Sequence, residues 1–343
     1  MTPPDPMALP APVELLQFLF GLTFVLHIGF LGLLVAALWA KAGAEWGRRP
    51  SYDPERLHRA GVLGFSMTIT AGVAPLLFVQ VLYGKSFYSS SIKIGFPWLA
   101  IIAYLLIGFY ALYLSRFRWD KAGGPSASGK GYLILAMLMV FAIGFTYSWN
   151  HLQSLTARPW ADRISHALAA RRLSGYGGVA FIASAAWATW FGRLWRRDGA
   201  TPSGAKWASL AGAAFVLIWA LVSDFTSDGW GQNGKRLLLT SGLLSIIGFA
   251  LLWARQSVTA RFIPWVRWTS LVAALAGALG LVLQRESWRL HTLSANSGAS
   301  VEPVRMQWGP FVMFALALVV GLLVLAWMLM QVRRPPGTSS QTY

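Results

Sequence analysis

One ionisable ring sits deep in the most apolar part of this chain. His27 lies near the middle of LLQFLFGLTFVLHIGFLGLLVAAL, residues Leu15–Leu38, a stretch long enough to cross a hydrocarbon core of ~30 Å as a helix. An imidazole at that depth is costly to bury and normally has a partner or a job. Two chemistries suit it: a hydrogen bond to a neighbouring helix, or donation of a neutral ring nitrogen to a haem iron. Gly29 and Gly32 follow closely and leave room for a flat cofactor or for another helix. His166 is a second, weaker haem-ligand candidate, on a segment that extends outward from a later apolar run. His151 and His291 fall on the same outer side and read as solvated, and His58 and His291 sit in loops.

Other chemistry is sparse. The chain has no cysteine, which excludes disulfides, thiolate metal sites, iron–sulfur clusters and thioether-linked haem. Of its 12 acidic residues none falls well inside an apolar run, whereas ion-coupled carriers need an ionisable group near mid-membrane. Gln80 and Tyr83, near the outer end of the second run, offer a polar group and an aromatic at a depth suited to a quinone headgroup. The same residues also fit an ordinary aromatic belt.

The elements that must position these groups are membrane helices. Of 343 residues, 56% are hydrophobic and only 12% charged, with 18 tryptophans; soluble domains carry about twice that charged fraction. Nine apolar runs follow one another: Leu15–Leu38, Ala60–Tyr83, Trp98–Leu114, Tyr132–Trp149, Gly175–Phe191, Trp207–Ser223, Leu237–Trp253, Val266–Leu283 and Phe311–Met330. The expectation is an all-α polytopic membrane bundle, a single transmembrane domain over residues 1–334 with a disordered tail over 335–343. The N-terminus lacks a basic leader region, so the first run reads as a retained helix. Loops on the C-terminal side hold 18 of the 29 Lys and Arg, which puts the N-terminus outside and the C-terminus in the cytoplasm. The net charge of +17 is spread over these short loops, where it meets lipid headgroups, so nucleic acid is not an expected partner. The segment His151–Ser174 has helical spacing from Ala161 onward and either lies on the outer surface or extends the fifth span. Glycines Gly175–Gly178 read as helix-packing positions.

The first two spans resemble the N-terminal part of subunit I of cytochrome bd-type quinol oxidases. The matching residues are Leu22, Thr23, His27 and Phe30 in the first span, then Gly72, Val73, Ala74 and Gly84 in the second; Gly175–Trp187 is loosely similar to that family's fifth span. The resemblance implies that His27 ligates a high-spin haem, and nine spans with an outer N-terminus agree with it. The departures are equally specific. The third span lacks the family's glutamates, His166 lies a turn outside the low-spin haem position near Ala170, and Leu238 replaces the methionine of an Arg-x-Met pair that begins at Arg236. The loop that binds quinol in the family is here only about Asp224 to Arg236.

The expected function is therefore a membrane-embedded electron-transfer subunit of the bacterial inner membrane, holding one or two b-type haems or offering a quinone-facing surface. Its partners would be lipid and other redox subunits, such as a cytochrome c or a second membrane chain. It would be at most a subunit of a quinol-linked oxidoreductase, without oxygen-reducing chemistry. The rival expectation is a cofactor-free scaffold of a respiratory complex. A small-molecule carrier ranks last.

Overall fold

A computed structural model of the chain describes residues 11–46, 52–155, 163–197, 204–223, 227–254, 263–297 and 308–333. These form nine α-helices: α1 (Val13–Trp46), α2 (Pro54–Ile94), α3 (Phe96–Ala122), α4 (Ala127–Leu155), α5 (Arg163–Phe191), α6 (Gly204–Val222), α7 (Gly229–Ala254), α8 (Ile263–Ser297) and α9 (Trp308–Arg333). A 3₁₀ turn, Gly192–Trp195, follows α5. Seven of the helices, α1 to α4 and α6 to α8, are long and apolar enough among the described residues to cross a membrane. The chain is an all-α, multi-pass membrane bundle. Contacts divide it into two units, one made of Met1–Gln17 with Ala299–Tyr343, the other of Phe18–Gly298. The first unit contains α9, an almost wholly apolar helix. The second contains α2 to α8 and most of α1.

The helices outrun the apolar stretches that announce them. At 1.5 Å per residue, the 34 residues of α1 reach well beyond the ~30 Å hydrocarbon core, and their ends carry polar side chains such as Lys41 and Glu45, both buried. Asp53 caps α2, its carboxylate accepting from the backbone N–H groups of Glu55 and Arg56. Pro75 lies inside that helix, and the backbone leaves helical geometry at Tyr83. Gly95 alone joins α2 to α3; its φ of 62° is a conformation that side chains resist. The turn between α3 and α4 is also shorter than its Gly/Ser-rich sequence suggests, being four residues closed by Gly123 in the left-handed region. The polar stretch after α4 mostly extends helices: α4 continues to Leu155 and α5 begins at Arg163. The turn after Arg197, the N-terminal ten residues and the C-terminal tail lie outside the described residues.

Helix α1 runs between two groups. On one side α2, α3 and α4 pack together; on the other α5, α6, α7 and α8 do, with α4 also meeting α5 and α8. Phe24 and Ile28 of α1 join a core with Val179, Val216, Leu238 and Leu281. Leu34 and Leu38 join another with Phe65, Leu112 and Leu133. Small residues allow the close approaches, as is usual where apolar lipid gives no hydrophobic drive between helices. A Cβ on Gly64 would lie 2.8 Å from the Leu34 backbone, and one on Gly175 would lie 2.7 Å from the Trp219 ring. Gly175 and Gly178 are therefore packing positions between α5 and α6.

Candidate functional site

His27 is held from behind by α2. Its Nδ1 lies 2.9 Å from the carbonyl oxygen of Thr68. A carbonyl only accepts, so Nδ1 carries the proton and Nε2 keeps its lone pair. This is the arrangement that orients a ligating imidazole and makes its other nitrogen the donor to a metal. No described residue hydrogen-bonds Nε2. Gly72 makes room for the ring: a Cβ there would sit 2.8 Å from both Cε1 and Nδ1. On the other flank, Trp187 of α5 donates its indole N–H to the carbonyl of Gly29 at 2.8 Å. The two glycines after His27 divide the roles open to them. Gly32 is filled by a helix, with Ala183 of α5 against it, whereas a Cβ on Gly29 would meet nothing within 4 Å.

The ring faces a large apolar cavity of about 1400 Å³, bounded by α1 to α6 and including Phe24, His27, Thr68, Tyr147, Tyr176 and Phe215 in its wall. Ligand pockets are more often about 300–1,000 Å³, so this one has room for a macrocycle or an extended apolar molecule. Its lining is almost wholly apolar, and His27 is the only histidine in it among the described residues. A haem meets such a site on reasonable terms, since the wall supplies a dry surface for the macrocycle and His27 supplies a neutral nitrogen.

Close to Phe24 and Tyr147 lies a turn of α8 that carries charge through the bundle interior. Arg285, Glu286, Ser287 and Arg289 are each at most 2% exposed. Glu286 accepts from Arg289 Nη1 at 2.7 Å and from the Tyr83 hydroxyl at 2.7 Å. Arg289 Nη2 lies 3.3 Å from His151 Nδ1, and since a guanidinium only donates, that nitrogen accepts. Arg289 also packs over the Tyr83 ring, 4.3 Å from its centroid. Arg285 Nη2 donates to the Tyr147 hydroxyl at 2.7 Å. Beside this turn, Asn150 of α4 bonds both Ser90 and Ser91 of α2, and Ser287 donates to Asp228 at 2.6 Å.

The sequence-derived candidates therefore separate. Among the described side chains, His27 is the one candidate on the cavity wall. Tyr83 joins the charged turn of α8, and Gln80 accepts from the Tyr88 hydroxyl at 3.1 Å. His166 belongs to α5, but its side chain lies outside the described residues. His58 is in α2 rather than a loop and packs edge-on against Tyr113. His151, expected in solvent, is 5% exposed because α4 continues past the end of its apolar run and packs on α8. Glu286 likewise shows that an acid is buried in this bundle. The eighth apolar run ends at Leu283, so the next turn reads as loop. The available signal was the i, i+3 spacing of Glu286 and Arg289, which continues the helix with an internal ion pair.

No family model matches the chain. Over 133 residues, 37% of its length, it is 32% identical to the cephamycin export protein CmcT of Amycolatopsis lactamdurans; the chain spans about a quarter (26%) of that curated relative. Among solved structures it is similar to the bd oxidase from Geobacillus thermodenitrificans, with a TM-score of 0.64 and 14% identity, covering 96% of this chain and 100% of that one. At that identity the likeness is one of fold. The chain is a multi-pass helical membrane protein with a bd oxidase-like fold.

Proposed function

We propose that this protein is a membrane-embedded electron-transfer subunit that holds a b-type haem on His27. The observation that carries the reading is the His27 socket: Nδ1 committed to the Thr68 carbonyl, Gly72 cleared for the ring, and an apolar cavity of about 1400 Å³ in front of it. The fold likeness to a bd oxidase supports the same reading. When bound, the haem would supply one-electron chemistry. The chain would ligate it, exclude water and set its electrostatic surroundings. Lipid and a redox partner subunit complete the proposal, with the N-terminus outside a bacterial inner membrane. His166 is the proposed ligand of a second haem, and Gln80 with Tyr83 the proposed quinone contact. Oxygen reduction is not proposed, because the third span carries none of the glutamates of the resembled family.

The test is a reduced-minus-oxidised visible spectrum of the purified chain. A b-type signal near one haem per chain, lost in His27→Ala, is expected; unchanged haem content in that variant overturns the assignment. A second reading, a cofactor-free scaffold for redox partners, draws on the same missing glutamates and on Leu238 in place of methionine. It requires a colourless preparation that still co-purifies a redox protein. The exporter likeness weighs less, since it reaches only a quarter of that protein and apolar helices share composition.

A further inference from the structure

We propose that Arg285 is the anchor for a carboxylate carried by the apolar occupant of the His27 cavity. Arg285 is 2% exposed, and two of its donors, Nε and Nη1, are buried without a hydrogen-bond partner among the described residues. Its third nitrogen, Nη2, donates one of its two hydrogens to Tyr147. The surrounding rings of Phe20, Phe24 and Tyr147 lie 5.1–5.3 Å from its Cζ. Those faces attract the cation but cannot neutralise it.

Counting the buried groups, this turn is one anion short, since Asp228, which accepts from Ser287, is exposed. Two guanidinium groups, Arg285 and Arg289, share a buried turn with one carboxylate, and Glu286 is engaged by Arg289 and Tyr83. Among the described residues no carboxylate pairs with Arg285. A buried charge left unpaired is strongly destabilising, and an unsatisfied buried group of this kind points to an absent ion or ligand. A carboxylate fits best, because the Nη2 hydrogen that Tyr147 leaves free completes a bidentate edge with either Nε or Nη1. A neutral quinone would leave the charge uncancelled.

The position fits as well. Phe24 and Tyr147 line the cavity and also contact the guanidinium, so Arg285 lies just behind the cavity wall, and the anchor requires a side-chain rearrangement there. Phe24 is also the link to the proposed iron ligand, its ring centroid 6.3 Å from that of His27. The occupant then has an apolar body in the cavity and an acid at the Arg285 end. A porphyrin propionate and a fatty acid share that chemistry. The porphyrin case rests on the haem reading above; the carboxylate anchor does not.

The experiment uses the full chain in detergent, follows tryptophan quenching by metal-free protoporphyrin IX and by its dimethyl ester, and measures oleate binding with radiolabelled oleate. The wild type is expected to bind the diacid about tenfold or more tighter than the diester. Arg285→Met should lose the preference and keep the diester affinity. Equal affinity for diacid and diester in the wild type overturns the anchor without any variant having to fold. Saturation by oleate with no porphyrin binding keeps the anchor and makes a fatty acid its occupant, while the haem reading stands or falls on the reduced-minus-oxidised spectrum. Binding of neither acid overturns the anchor.

Discussion

Replacing Gly72 by alanine should disable the His27 site without touching His27. The new Cβ would stand 2.8 Å from Cε1 and Nδ1 of the imidazole, nearer than carbon atoms tolerate. The ring cannot slide away freely, because Nδ1 is bonded to Thr68 and α1 is wedged between the Gly64 contact on α2 and the Gly32 contact on α5. Overpacking of this kind costs about 1–3 kcal/mol, and the lost hydrogen bond adds about 1 kcal/mol. Against this, alanine in place of a helical glycine returns up to about 1 kcal/mol. The net is about 2 kcal/mol, or roughly thirtyfold in an equilibrium constant. Gly29→Ala is the matched control: it gains the same helical propensity, and its Cβ meets nothing within 4 Å. The assay is thermal unfolding in detergent with haem content per chain measured on the same samples. Gly72→Ala should be less stable and largely haem-free, and Gly29→Ala unchanged or slightly more stable. Equal stability and equal haem content in the two variants would refute the socket described here.

Further outcomes follow from the charged turn and the helix contacts. Glu286→Gln removes the single anion shared with Arg289 and should cost about 3–5 kcal/mol. Tyr83→Phe removes only one hydrogen bond to that carboxylate and should cost about 1.5–3 kcal/mol; thermal unfolding that ranks Tyr83→Phe as the worse of the two would contradict the network. Gly234→Ala places a Cβ 2.8 Å from the Gln284 backbone nitrogen and 3.0 Å from the Gly280 carbonyl, so α7 and α8 must part. A loss of at least about 1–3 kcal/mol is expected, and an unaltered unfolding temperature would show that the helices are less tightly apposed. The excess of Lys and Arg in loops on the C-terminal side predicts that a C-terminal green fluorescent protein fusion glows in bacteria. A C-terminal alkaline phosphatase fusion that is active instead would invert the orientation.

What the sequence determined by itself is what depends on local composition. Apolar runs near Leu15–Leu38, Ala60–Tyr83 and their successors demand helices in lipid, because only internally bonded backbone survives there. An imidazole in the middle of the first run marks His27 without any knowledge of its neighbours. Hydropathy, however, averages over a window and ends a span at the first polar turn, so Glu286 and His151 read as outer-loop residues. Their burial is decided by partners on other helices: Tyr83 on α2 holds Glu286, and Arg289 on α8 holds His151. The tautomer of His27 belongs to the same class. It depends on a carbonyl of Thr68, 41 residues away in sequence, and a carbonyl is present in every residue, so no residue type could have announced it. The glycines show the division most plainly. Gly29 and Gly32 are alike in sequence, yet only the packing of α5 against α1 assigns one to a helix and leaves the other open.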